Sequence, residues 1–262
     1  MFFFPFSDDN PTHNKPYVCY FLITICIFIF LWQSSLPTTL NNQAVYNFGV
    51  VPAALLGDQE SYISPILTIF TSMFMHGSWM HLIGNMVFLW IFGDNIEDSL
   101  GRTKFIIFYL LSGIGAALLQ GIIDPTSSIP MIGASGAIAG VLGGYLLMHP
   151  KANVNVLMWI IIFISVIRVP AFIVLGFWIV GQFFNASFTS GSGVAYFAHI
   201  GGFIVGILLI PFLKKPEISL FQEAHSKPFQ ATNFDFKSFQ ENTNSDNFMQ
   251  DFIDRANKKN KN

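Results

Sequence analysis

The sequence predicts an all-α, polytopic membrane protein, a bundle of six transmembrane helices with both termini in the cytoplasm. Three observations carry this. Of the 262 residues, 52% are hydrophobic and only 11% charged, against about 25% charged in soluble domains. Several apolar runs reach the roughly 20 helical residues needed to cross about 30 Å of hydrocarbon, where backbone polar groups must find partners within helices. The 13 basic residues fall only on alternate connections between those runs. A net charge of -2 gives no reason to expect a nucleic-acid partner; membrane lipid is the expected surrounding.

Residues 1–16 open with "MFFFPFSDDNPTHNK", which has neither the basic start nor the cleavage site of a secretory signal. They are expected to form a short cytoplasmic segment. Span one is residues 17–32; its Cys19 and Cys26, seven apart, read as apolar filler rather than a disulfide framework. Span two is 80–96 and span three 105–123. Span four, 135–148, is short, about 14 residues. The β-branched stretch "VNVLMWIIIFISVIR", 154–168, runs on into apolar residues up to 184, and the whole is too long for one untilted span. It is expected as a loop or interfacial segment leading into span five, 170–184, with a seventh span as the competing count. Span six is 196–213. Residues 214–262, rich in Asn, Gln and charge, are expected as a flexible polar cytoplasmic tail, with a short amphipathic helix near 248–256.

Orientation is set by Lys and Arg, which favour the cytoplasmic side. Lys15 precedes span one, Arg102 and Lys104 join spans two and three, Lys151 and Arg168 join four and five, and eight more come after Leu213. The other three connections hold none, which supports an even number of spans. With no targeting segment read at the start, a bacterial plasma membrane is the expected location.

Ionisable residues inside spans are costly and mark function. Span two carries "HGSWMHLIGN" (His76, His81, Asn85), span four opens at Ser135, and span six carries "AHIGG" with His199. At 1.5 Å per residue, Ser135 stands roughly 24 Å above Lys151, His199 roughly 22 Å above Lys214 and His81 roughly 20 Å above Asp94. All three reach about one level. His81 and Asn85, four apart, share a helix face. Gly136, Gly140 and Gly144 repeat every four residues in span four, as do Ala198, Gly202 and Gly206 in span six; such stripes let membrane helices approach closely. Packing through them brings Ser135 and His199 within hydrogen-bond reach. Span four is too short to cross alone, so "DPTSSIPMIG" must dip beneath the outer surface and line a wet cavity.

A lone serine at a helix start is usually a cap, and a lone membrane histidine usually bonds a neighbouring helix. Together they support another reading. Serine needs a base to become a nucleophile, and neutral imidazole supplies one. His81, Asn85 and the Ser135 backbone N–H can donate to an oxyanion. No carboxylate shares the level, since Asp94, Glu97 and Asp98 fall at the far end of span two; the pair is a dyad. His13, His149 and His225 are bystanders. A metal centre from His76, His81 and His199 lacks a helical H-E-x-x-H and an acidic partner, so no metal is expected.

"GASG", "HGSWMHLIGN" and "AHIGG" together resemble the rhomboid intramembrane serine proteases, over about residues 17–213. The resemblance implies Ser135 as nucleophile and His199 as base, with His81 and Asn85 at the oxyanion. It places Gly133 in the loop beside the nucleophile and makes His76 a supporting residue. "EDSLGR", Glu97 to Arg102, is similar to the family's E-x-x-x-G-R. It also implies transmembrane protein substrates cut near their outer ends, and no cofactor. Two departures stand out: the position four after the nucleophile, often aromatic, is Ala139, and residues 34–78 lack the Trp-Arg pair of the family's first outer loop. The alternative to an enzyme is a non-catalytic binder of membrane segments on the same scaffold. A solute transporter finds no inverted repeat. Span five, uncharged from Ala171 to Gly181, is the expected gate. Oligomeric state has no signature.

Overall fold

The computed structural model describes residues 2–160, 163–188, 194–229 and 231–232. The elements are β1 (Phe2–Asp8), α1 (Tyr17–Ser35), α2 (Thr38–Phe48), α3 (Pro52–Leu55), α4 (Pro65–Ser72), α5 (Trp79–Leu100), α6 (Arg102–Ile123) and α7 (Ser135–Met148). They continue as β2 (Asn153–Ile160), β3 (Phe163–Pro170), α8 (Ala171–Phe188), α9 (Tyr196–Leu213) and β4 (Ala231–Thr232). Among the described residues α1, α6, α8 and α9 are long and apolar enough to cross a membrane, and α7 is a shorter apolar helix. The 22 residues of α5 carry Asp94, Glu97 and Asp98 at one end.

α7 is the axis of the bundle. It is apolar all round and buried from Gly136 through Tyr145, as a helix enclosed on every side should be. α5, α6 and α9 surround it, and the closest of these contacts are made backbone to backbone. A methyl group on Gly202 would lie 1.9 Å from the Gly136 carbonyl oxygen, and one on Gly206 2.1 Å from that of Gly140. The two stripes therefore do meet. α6 joins the seam: a methyl on Gly140 would collide with Ser112 Oγ at 2.2 Å, and one on Gly201 with the Gly115 carbonyl at 2.7 Å.

The lower end is held by the "EDSLGR" stretch. The Glu97 carboxylate, 3% exposed, accepts the N–H groups of Val18 and Cys19 at 3.1 and 2.8 Å. It satisfies donors that the first turn of α1 cannot pair internally and sits where the helix dipole favours an anion. Asp98 accepts from the His13 N–H and from Asn14. Gly101, with φ +79°, reverses the chain between α5 and α6 in a conformation glycine adopts freely. Arg102 lies 4.6 Å from the centre of the Tyr17 ring.

The described residues of the stretch 154–168 are strand, neither loop nor helix. They form most of an antiparallel hairpin, β2–β3, in a four-stranded sheet ordered β1-β2-β3-β4, so the fold is not purely helical. β-branched residues lose rotamer freedom in helices and pack well on a pleated surface. The pairing partner is the N-terminal "FFFPFSD", with Phe4 opposite Leu157 and Asp8 opposite Val154. Within the short segment expected at 1–16, residues 2–8 thus form a strand of this sheet. Beyond β1, Asn10 bonds Asn95, and Asp9 accepts from the Asn153 N–H at 2.7 Å.

Nor does the tail start free at 214. Phe221 and Gln222 donate to the carbonyls of Leu147 and Met148, and Asn153 donates to Ser226 Oγ at 2.8 Å. The amphipathic helix expected near 248–256 lies outside the described residues.

The glycine seam and the docked strand each give an expected outcome. Gly202→Ala is expected to cost on the order of 1–3 kcal/mol of stability through overpacking. Gly176→Ala in α8, where a methyl meets nothing within 4 Å, should cost nothing. Thermal unfolding of the purified variants checks the pair.

For the strand, the group to watch is Asp8, whose carboxyl burial pushes up to about 7; the Tyr145 hydroxyl opposes this and the Asp94 and Asp9 carboxylates add to it. Burial and then His225 push His149 down to about 4, so it stays neutral across this window. A raised carboxyl stabilises the docked strand below its unfolded value of 3.8, and that contribution is lost as pH rises through about 7. Protease clipping after β1 should therefore speed up between pH 6 and pH 8.5 relative to Asp8→Asn. Equal pH profiles would refute it.

Candidate active site

The upper ends of α5, α7 and α9 enclose a cavity of about 990 Å³ whose lining includes His81, Asn85, Ser135, Trp178 and His199. Each enters through local structure. Ser78 caps α5 by accepting the His81 N–H at 3.2 Å, which fixes the turn from which His81 and Asn85 project. The approach to α7 is tied to the first connection rather than to lipid. Val50 and Met131 exchange two backbone hydrogen bonds, at 3.0 and 2.8 Å, and the Gly133 N–H donates to the Ser72 carbonyl at 2.9 Å. The dipping segment is thus paired with the stretch that also builds α2, α3 and α4, short helices the sequence reading did not foresee.

Ser135 is the first residue of α7, one past the N-cap position, which Ala134 occupies. Its hydroxyl is 2.8 Å from His199 Nε2. The structure thus brings together the two residues that sequence depth and glycine stripes paired. His199 is held on its far side by Gln182 of α8, whose Oε1 is 2.7 Å from Nδ1. The Trp178 ring lies 5.8 Å from the imidazole, inclined at 38°, and Tyr196 6.5 Å away at 84°. Ala139, the small residue at the position often aromatic, is fully buried.

Gly133 packs directly on the other candidates. A methyl there would stand 2.7 Å from His81 Nε2 and 3.6 Å from Asn85 Nδ2, at φ +128°, so both space and backbone conformation require glycine. The Gly77 N–H points at His81 Nδ1 at 3.4 Å, which leaves Nε2 as the nitrogen carrying the proton. Asn85 is 8% exposed, and its Nδ2 is buried with no hydrogen-bond partner. A buried amide donor left unsatisfied costs about 1–3 kcal/mol, and an incoming oxyanion would satisfy it. His76 packs edge-on against the His81 ring, 5.2 Å away at 67°, and its backbone exchanges hydrogen bonds with the Gln33 side chain at 3.1 and 3.3 Å. His149 sits at the other end of α7, against Asn10 and Tyr145.

Sequence reasoning missed Gln182 and Trp178. Their signal was present: a polar residue in an apolar span, with an aromatic residue one turn before it.

The fold and site define a helical membrane protein with a serine–histidine pair set in a cavity at the end of a buried central helix. The chain belongs to the rhomboid family, whose Rhomboid domain model matches residues 64–216. It is 28% identical over 166 residues to Rhomboid-like protein 11, chloroplastic, of Arabidopsis thaliana, covering 58% of this chain and 55% of that protein. It is 31% identical over 168 residues to Rhomboid protein 1, mitochondrial, of Saccharomyces cerevisiae, covering 60% and 44%. Rhomboid protease GlpG of Salmonella paratyphi A is 29% identical over 174 residues, covering 61% and 56%. The matched region spans about half the length of these relatives.

Gly133→Ala is expected to displace His81 and strain the loop, lowering stability by about 1–3 kcal/mol. A shift in the unfolding midpoint reports the strain, and the changed His81 resonance reports the displacement. An unshifted His81 would refute it.

Proposed function

We propose that this chain is an intramembrane serine endopeptidase that uses Ser135 and His199 to cut transmembrane protein substrates near the outer face of the bilayer. The observation that carries this is the 2.8 Å contact between Ser135 Oγ and His199 Nε2. His199 Nε2 takes the hydroxyl proton as Oγ attacks the scissile carbonyl carbon. The resulting oxyanion is met by Asn85 Nδ2–H, His81 Nε2–H and the Ser135 backbone N–H at the positive end of α7. The proton then passes from His199 to the leaving amine, and a water molecule, deprotonated by the same nitrogen, releases the acyl group. His76 and Gly133 act in support.

Six spans (α1, α5, α6, α7, α8 and α9), with both termini cytoplasmic, complete the reading. Support comes from the alternation of basic connections and from the acidic end of α5 lying beside Arg102 and Lys215. The membrane domain is residues 17–213; residues 2–14 before it and 214–229 after it pack against the end read as cytoplasmic. The relatives carry chloroplastic and mitochondrial names as well as a bacterial source, so a bacterial plasma membrane has no support from them. α8 is the gate: Ala171 and Leu175, at its lower end, are its buried residues, and above them it can lean aside to admit a substrate helix.

In vesicles holding a single-span substrate, Ser135→Ala and His199→Ala should each lower turnover by at least about 10³-fold while still folding. Asn85→Ala should lower it by about 10²–10³-fold. A non-catalytic binder would show no cleavage in the wild type and the same substrate affinity in all four proteins.

A further inference from the structure

We infer that Gln182 is the residue that orients His199, and that it makes the base's orientation depend on where α8 stands. This rests on the serine–histidine reading given above. Gln182 Nε2 points at the Trp178 carbonyl at 3.4 Å, which turns Oε1 toward His199 Nδ1 at 2.7 Å. A carboxamide oxygen carries no proton. Nδ1 must therefore be the protonated nitrogen, and Nε2 presents its lone pair to the Ser135 hydroxyl 2.8 Å away. With the opposite tautomer Nε2 would carry a hydrogen and could take none. Gln182 thus does for tautomer and ring orientation what a carboxylate does in a triad, without the cost of a buried negative charge. When His199 becomes an imidazolium, the same Nδ1–H bond becomes charge-assisted and strengthens.

Trp178 and Gln182, four apart, lie on one face of α8, the first beside the imidazole plane and the second bonded to its edge. The methyl of Ala139 offers neither contact. The base is held from the least buried of the spans. α8 is tied down at its foot, where the N–H groups of Ala171 and Phe172 donate to the carbonyls of Ala152 and Pro150 at 2.8 and 3.0 Å. Higher up, methyl groups on Gly176 and Gly181 would meet nothing within 4 Å. Gln182 stands roughly 16 Å above Ala171 along the helix. A tilt of about 10° about the foot would move it by roughly 3 Å, which breaks a hydrogen bond. With α8 closed the dyad is set; with α8 open the imidazole is free to turn.

The test uses the purified full-length protein, wild type and the variants Gln182→Leu, Gln182→Glu, Phe183→Ala, Ser135→Ala and His199→Ala. It records fluorophosphonate labelling, substrate cleavage against pH, and the Nδ1–H signal of ¹⁵N-labelled histidine, assigned to His199 by its loss in His199→Ala. Gln182→Leu is expected to slow labelling and kcat by about ten- to a hundredfold, the loss that goes with stranding one buried N–H. KM should stay within about twofold, and the His199 signal should disappear. Gln182→Glu restores the acceptor and stabilises the imidazolium, so the acid limb of the rate profile moves to higher pH. Phe183→Ala, on the exposed side of the helix, should match wild type.

Labelling by Gln182→Leu at the wild-type rate, or a loss confined to KM, overturns the inference. If Gln182→Leu does not fold, an unmoved acid limb in Gln182→Glu overturns it equally. Should wild type neither label nor cleave, the dyad reading fails, and a persisting Nδ1–H signal that Gln182→Leu removes would still uphold the tie between Gln182 and His199.

Discussion

Everything at the site depends on how closely α7 and α9 approach. Their backbones meet where Gly202 faces the Gly136 carbonyl and Gly206 that of Gly140, with no room for a methyl group. A serine side chain is short and an imidazole reaches little further, so a 2.8 Å contact between them requires the two helix axes to run nearly in touch. In a membrane no hydrophobic force draws helices together, since lipid is as apolar as the side chains; close packing must supply the attraction. The same glycines that bring the helices together place the hydroxyl against the ring.

That rigid pair is set within a frame of unequal firmness. α7 is enclosed on all sides, and the lower end of α5 is bonded to α1 through Glu97 and to the N-terminal segment through Asn95 and Asp98. α8 has few buried residues. On the proposed function, a cavity wet for hydrolysis yet shielded from lipid needs one wall that can yield, and α8 is the least buried of the candidate spans. Because the amide touching His199 belongs to that wall, access and the orientation of the base are not independent features of the molecule.

The sheet beneath the bundle has its own logic. Strands β2 and β3 lie between α7 and α8 in the chain, and the β2 side is covered by the N-terminal strand. An uncovered edge would expose unpaired backbone groups, and "FFFPFSD" supplies the partners. Residues 214–229 add hydrogen bonds to the end of α7 and to Asn153. The foot of α8 is thereby braced at the sheet end of the bundle, and its upper part has fewer buried residues.

The sequence by itself determined what depends on periodicity and composition. These were the long apolar helices, the small-residue stripes, the bounds of α7 at Ser135–Met148 and of α9 at Tyr196–Leu213, and the shared level of Ser135, His81 and His199. Each is a property of one stretch of chain measured along its own axis. Only the tertiary structure decided what depends on a partner remote in sequence. Strand β2 pairs with residues 2–8 far back in the chain, and Glu97 serves α1 across 79 positions. Gln182 reaches His199 because two neighbouring helices turn particular faces to each other. A helix period says which residues share a face; which face meets which is settled by side-chain volume and hydrogen bonding across the gap, and one strand of letters does not carry that.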